Sequence, residues 1–290
     1  MSADKPPYSN PWDQFCFGVQ AHKFMEMAHV VLYLYALGVI WGTDWSPYRA
    51  TEAWLYSPAG LAERVGLAFP PSGLLVAVNL ALTAAAVLSL MRVRHRLFAS
   101  LFFVGFLLLD AWSNGFGFVN ARIHFVWFLG ALALCDFSRT ERWTQSWSES
   151  TSLAFRFMEL VTVLVYVQSG LAKLLESGWQ WAADGTNLQI ALLRQETTAG
   201  VWLAQYPAVC ELMAYGALSL ELLFLLYYPL PKLRRALLAA AIGFHIGTWI
   251  FMGISFIHLW IFSILAVAWS RDLFTNPVDR RAPERLGAEA

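Results

Sequence analysis

The chain has 290 residues, 58% of them hydrophobic, 16% aromatic and only 14% charged, with Lys and Arg balancing Asp and Glu at 20 each. A water-soluble domain carries about one quarter charged residues, so this composition cannot coat a soluble body and points to lipid as the main solvent. Zero net charge gives no electrostatic basis for a nucleic-acid partner, and three cysteines without a C-x-x-C pair exclude a thiolate metal motif and a disulfide framework.

Residues 1–23 are polar and proline-bearing, and no small-residue cleavage site follows the first apolar run. No signal peptide is expected, and that run is kept as a span. Eight apolar runs follow, at 24–42, 71–91, 97–112, 121–137, 153–172, 208–228, 236–252 and 255–270. Most approach the ~20 residues a helix needs to cross a ~30 Å hydrocarbon core. The last two form one stretch that would run over ~50 Å as a single helix, and Gly253 and Ser255 offer a break. The expected fold is all-α: a polytopic integral membrane bundle of about eight transmembrane helices over 24–270. A polar N-terminal segment (1–23) and a polar C-terminal tail (271–290) flank it.

Charge supports that count. With a cytoplasmic N-terminus, the inner segments hold fourteen of the twenty Lys and Arg residues, the outer segments five, and Arg156 lies within a span. Seven spans would move the four C-terminal arginines to the other side, against the positive-inside rule. Both termini are therefore expected in the cytoplasm. The outer segments 43–70 and 173–207 are long and rich in Trp, Tyr and Pro, which suits interfacial aromatics.

An ionisable residue inside a span costs ~2.5–3.5 kcal/mol on insertion scales, so each one asks for a reason. Lys173 falls at the outer end of the fifth span, and two readings stay open. Its stem lies in lipid with the ammonium among headgroups, or it is a partly desolvated base. His124, near the outer start of the fourth span, is an interfacial histidine or an acid–base group. Asp110 lies at the outer end of the third span, in position to pair with either. His258 opens the eighth span on the same side. His245 and Glu221 lie deeper, with a tie between helices open to them. Arg156 and Glu159 are three apart, which makes them helical neighbours and favours a local ion pair. Glu26 and His29 repeat that spacing. His95 falls in a basic inner loop and needs only solvent. No histidines are spaced i,i+4, and no metal motif, phosphate loop or G-x-S-x-G elbow occurs.

Three pieces of the chain carry a resemblance. They are Tyr166-x-x-x-Gly170-x-x-Lys173-Leu174 followed by Trp179 and Gly185; Leu220-Glu221-Leu222; and His245 followed by Met252-Gly253 and Phe256. In order and spacing they resemble the horizontally transferred transmembrane domain (HTTM) family, whose best-known branch is vitamin K-dependent gamma-carboxylase. The resemblance covers roughly residues 90–270. It implies a membrane enzyme whose lysine, here Lys173, deprotonates a reduced, vitamin K-like naphthoquinone at the extracytoplasmic face. His124 matches an assisting histidine, and His245 a recurring family position. His258, Asp110 and Trp179 are the further candidates for contact with substrate or cofactor, while Glu221, Arg156 and Glu159 are structural polar groups. No metal is implied.

The chain also departs from the family pattern. Glu159 stands where the family often carries arginine, with Arg156 one turn earlier, and Ala172 precedes Lys173 where the carboxylase often has a second lysine. The resemblance does not include the carboxylase's large lumenal domain, so clotting-type protein substrates are not expected. The chain looks more like short bacterial members, which places it in a bacterial cytoplasmic membrane. Its expected partners are the lipid bilayer, a lipid-soluble quinol and a secreted peptide. The competing reading is a non-catalytic transporter, or an accessory factor for maturation or export of such a peptide.

Overall fold

The structure is a computed structural model, and it describes residues 10–18, 21–45, 56–57, 61–115, 122–137 and 148–268. Every regular element among them is helical. Six helices are long and apolar enough to cross a membrane: His22–Gly42, Ser72–Leu90, His95–Asn114, Glu149–Trp181, Pro207–Leu226 and Pro231–Met252. In the expected fourth and eighth spans the described helices have 12 residues, Ile123–Leu134 and Ile257–Ala268, and residues 121, 269 and 270 of those runs lie outside the described residues. Twelve residues rise only ~18 Å, short of the ~30 Å core. The expected tail 271–290, residues 1–9 and residues 46–55 and 58–60 of segment 43–70 lie outside the described residues.

The chain divides into two compact units, Met1–Met158 and Glu159–Ala290. The first holds α1 (Pro11–Phe17), α2 (His22–Gly42), α3 (Ser72–Leu90), α4 (His95–Asn114) and α5 (Ile123–Leu134). Asn10 starts α1 as an N-cap, its side chain accepting from Trp12 N at 2.8 Å, with Pro11 at the first helical position. Helix α6 (Glu149–Ser177) contains the boundary between the units.

The first unit corrects the reading of His95. His95 does not sit in a solvated loop; it opens α4 and is 5% exposed. Arg94, in the left-handed region at φ 43°, and Arg92, at φ 61°, fold the α3–α4 turn back on itself. Arg92 thereby meets Glu26, which also contacts His22 at 3.2 Å. Beside them, His29 Nε2 lies 3.1 Å from Ser89 Oγ, Ser89 Oγ 3.0 Å from His95 Nδ1, and His95 Nε2 3.0 Å from the Leu132 carbonyl. His95 Nε2 donates to the Leu132 carbonyl, which leaves Nδ1 of a neutral ring to accept from Ser89, and Ser89 Oγ also lies 3.5 Å from the Tyr33 hydroxyl. The Phe137 ring stacks on His29 at 5.0 Å and meets His95 edge-on at 4.8 Å. A buried polar group without a partner costs roughly 1–3 kcal/mol, and this network removes that cost for several groups at once.

The second unit holds the rest of α6, then α7 (Thr186–Gln195), α8 (Thr198–Leu203), α9 (Pro207–Leu223), α10 (Arg234–Met252) and α11 (Ile257–Ala268). Helix α10 stops at Gly253, at φ 66° in the left-handed region that glycine tolerates best. This is where the expected break falls. Between α6 and α9 the chain runs through two 3-10 turns and the short helices α7 and α8. Thr197 Oγ1 donates to the Phe251 carbonyl at 2.5 Å and Gln189 Nε2 to the Ala204 carbonyl at 2.7 Å, tying this segment down.

Candidate functional site

The site is built on one face of α6. Tyr166, Ser169 and Lys173 lie three and four residues apart, so they share a face of that helix. Gly170, within the same stretch, lets α9 come close. A Cβ added there would stand 3.0 Å from Glu221 Cβ and 3.1 Å from Leu222 Cδ2, which is closer than packed carbons sit. The approach brings Glu221 within reach of Lys173. Gly185 does the same for the connecting segment. It sits at φ 73°, and a Cβ there would stand 2.5 Å from Glu211 N and 2.8 Å from the Pro207 carbonyl.

Behind this face is a cavity of about 460 Å³, within the ~300–1,000 Å³ common for small-molecule sites. Every residue lining it belongs to the second unit. Its walls are mostly apolar, with Phe244, Phe251, Phe256 and Trp181 supplying rings. Its polar groups gather in two places.

The first is the Lys173–Glu221 ion pair. Lys173 Nζ donates to both carboxylate oxygens, at 2.6 Å to Oε2, and to Ser169 Oγ at 3.1 Å. Ser169 in turn donates to Glu221 Oε1 at 2.9 Å. The Trp181 ring centroid lies 4.7 Å from Nζ, a cation–π contact. The Glu221 side chain is 4% exposed and that of Lys173 21%. Lys173 therefore has its charged end in the site and turned towards α9.

The second place is Tyr166–His245. The Tyr166 hydroxyl lies 2.7 Å from His245 Nε2, and Phe224 stacks on the Tyr166 ring at 4.1 Å. His245 is its sole hydrogen-bond partner among the described residues. The donor follows the imidazole tautomer: a neutral ring that accepts at Nε2 carries its proton on Nδ1, and one that donates from Nε2 has its lone pair on Nδ1. Nδ1 is buried and unpartnered among the described residues.

The tie left open between Glu221 and His245 is not formed among the described residues. Glu221 is taken by Lys173 and Ser169 from α6, and His245 by Tyr166, because α6 presents a partner to each of α9 and α10. Trp179 is 60% exposed, and its neighbour Trp181 is the indole that lines the cavity. His258, 2% exposed, opens α11 beside Phe256. Glu159 accepts from the Tyr227 hydroxyl at 2.8 Å.

The other candidates lie in the first unit. His124 is 4% exposed in α5, its ring 6.1 Å from that of Phe128. Asp110 meets Arg122 at 3.6 Å and accepts from Asn114 at 3.1 Å. Arg156 donates from Nε to the Phe15 carbonyl at 2.9 Å and lies over the Phe15 ring. Among the described residues no group of three or more His, Cys, Asp or Glu side chains is placed to hold a metal.

The sequence reading passed over Ser169 and the pairing of Tyr166 with His245. Spacing held the signal, since residues 166, 169 and 173 form a helical stripe. Comparisons with protein-family models, with curated proteins and with solved structures found no match for this chain.

Proposed function

We propose that this integral membrane protein is an enzyme of the HTTM, carboxylase-like kind, which takes a proton from a hydroxyl of a lipid-soluble, quinol-type molecule held in the second-unit cavity. One observation carries the reading. A lysine and a carboxylate, the latter almost fully buried, meet at the wall of an otherwise apolar cavity of small-molecule size. Burying such a pair costs several kcal/mol per ion before attraction repays it, and a merely anchoring lysine would have stayed among the headgroups.

The residues fit a flat aromatic ligand. The ring side chains Trp181, Phe244, Phe251 and Phe256 offer stacking walls. The Lys173–Glu221 pair offers a place for an ionising hydroxyl, and the unpartnered Nδ1 of His245 is a spare polar group on the same cavity's wall. A bound reduced naphthoquinone would supply an acidic hydroxyl and, once ionised, reactivity towards oxygen. The chain's own part is to exclude water with the apolar walls, orient the ring, and handle the proton at the Lys173–Glu221 pair. A positioned acid–base group of this kind contributes ~10²–10⁴ in rate. The charge bias of the loops puts Lys173 at the extracytoplasmic face.

The test is chemical. Protein purified in lipid nanodiscs is extracted with organic solvent and the extract analysed for quinones by mass spectrometry. Wild type is expected to carry a stoichiometric prenylated quinone that Lys173→Ala, at equal abundance, has lost. Equal quinone content in both would refute the reading.

A further inference from the structure

We infer that Glu221 is the proton acceptor of this site and that Lys173 is the cation which holds the anion so formed. The inference rests on the reading of the cavity as an acid–base site, and it comes from counting donors and lone pairs. An ammonium has three N–H groups and no lone pair. Those of Lys173 go to Glu221 Oε1, Glu221 Oε2 and Ser169 Oγ. A base must present a lone pair, and in this arrangement the ammonium has none. Glu221 does. Among the described residues its Oε1 accepts from Lys173 and Ser169, while its Oε2 accepts only from Lys173, which leaves lone-pair capacity on Oε2.

The other titratable groups lining the cavity are Tyr166 and His245, and each is engaged with the other. Neutral, neither carries a negative charge, and Nε2 of the imidazole is taken up by the phenol. Glu221 is the one group at the site with both a negative charge and an open lone pair.

The step balances without any further reagent. The substrate O–H bond breaks, its proton bonds to Glu221 Oε2, and the electron pair stays on the substrate oxygen. The carboxylic acid so formed no longer neutralises Lys173. The ammonium's N–H groups then turn to the new oxyanion, so one ion pair replaces another and the site's net charge is unchanged. In a low-dielectric cavity that conservation matters, because separating or adding a charge there is costly. The substrate class follows: a lipophilic phenol, enol or quinol whose hydroxyl ionises within reach of a carboxylate, rather than a compound that enters already charged.

Arginine separates the two assignments, since a guanidinium holds the positive charge but cannot serve as a base. The probe is 4-nitro-1-naphthol, a flat bicyclic phenol whose oxyanion absorbs at longer wavelength than its neutral form. Binding is followed in nanodiscs, in weakly buffered medium with a pH indicator, at a pH where the free probe is neutral. Wild type and Lys173→Arg are both expected to bind the oxyanion with no proton released. Lys173→Arg/Glu221→Gln is expected to release one proton per oxyanion bound. The inference is overturned if Lys173→Arg binds only neutral probe, or releases a proton with each oxyanion. Should Lys173→Arg fail to fold, Glu221→Gln decides alone. A proton released on binding supports the assignment, and none released overturns it. A wild type that binds no probe saturably, or a Lys173→Met that binds it as wild type does, would instead remove the acid–base reading of the cavity, and this inference with it.

Discussion

Removing the lysine alone should cost more than removing the whole ion pair. Lys173→Met leaves the Glu221 carboxylate, 4% exposed, with Ser169 as its remaining partner. Breaking a buried pair from one side typically costs about 3–5 kcal/mol. At roughly 2–4 °C per kcal/mol for a domain of 150–250 residues, the melting temperature should fall by about 6–20 °C. Lys173→Met/Glu221→Leu replaces both charges by apolar volume in a mostly apolar cavity. Such replacements are often neutral or stabilising by ~1–4 kcal/mol, so the double variant should melt close to wild type. The assay is thermal unfolding in one fixed detergent, read by a thiol-reactive dye. Cys135 and Cys210 are free and buried, so they label as the chain opens. A double variant whose loss equals the sum of the single losses would refute the pairing, as would a Lys173→Met that melts with wild type.

Tyr166→Phe removes the hydroxyl bonded to His245 Nε2 and should destabilise by about 1–3 kcal/mol, measured in the same melt; a loss within error would mean that the phenol is not the imidazole's partner. Gly170→Val is expected to push α9 away from α6 and lower both stability and probe binding, whereas Gly216→Ala, with nothing within 4 Å of its added Cβ, should leave both unchanged. Arg92→Ala strips Glu26 of its guanidinium at a buried site and should lower the melting temperature by more than Arg96→Ala, whose pair with Asp136 is solvent-exposed. In the α6–α9 connection, hydrogen bonds from the Thr186 side chain and backbone hold Asp184 below its ordinary value of 3.8. A depressed carboxylate stabilises above its unfolded value and loses that contribution as pH falls through the folded one. Thr186→Val should therefore raise the Asp184 value in a carboxyl-carbon NMR titration, and no movement would refute the side-chain contribution.

Much of the fold was legible because it depends on composition and local pattern. Apolar runs of helical length require a lipid solvent and place the long helices to within a few residues. Gly253 stops a stretch too long for one crossing, since it alone there tolerates positive φ without strain. Lys173 stood out because a charge at a span end demands a reason. At 121–137 and 255–270 the described helices cover only part of the apolar runs: Arg122 and Gly253 mark backbone that leaves helical geometry, and apolar composition does not record hydrogen bonding.

Partner choice was not legible. Glu26 and His29 are near neighbours in sequence, yet their polar contacts include Arg92 and Ser89, more than fifty residues away. His95 looked like a solvated loop residue because nothing in its own neighbourhood says that the turn folds inwards. Glu221 and His245 looked like each other's partners on depth alone. The tertiary structure gives Glu221 to Lys173, 48 residues earlier, and His245 to Tyr166, 79 residues earlier. The sequence by itself determined which polar groups fall in or beside apolar helices, but it put Lys173 at a span end and Glu221 deeper, and the structure joins the two. Which of them touch depends on how each helix is rotated and how closely its axis approaches the next. At this site that was decided by the missing side chain of Gly170, which lets α9 bring a carboxylate against α6.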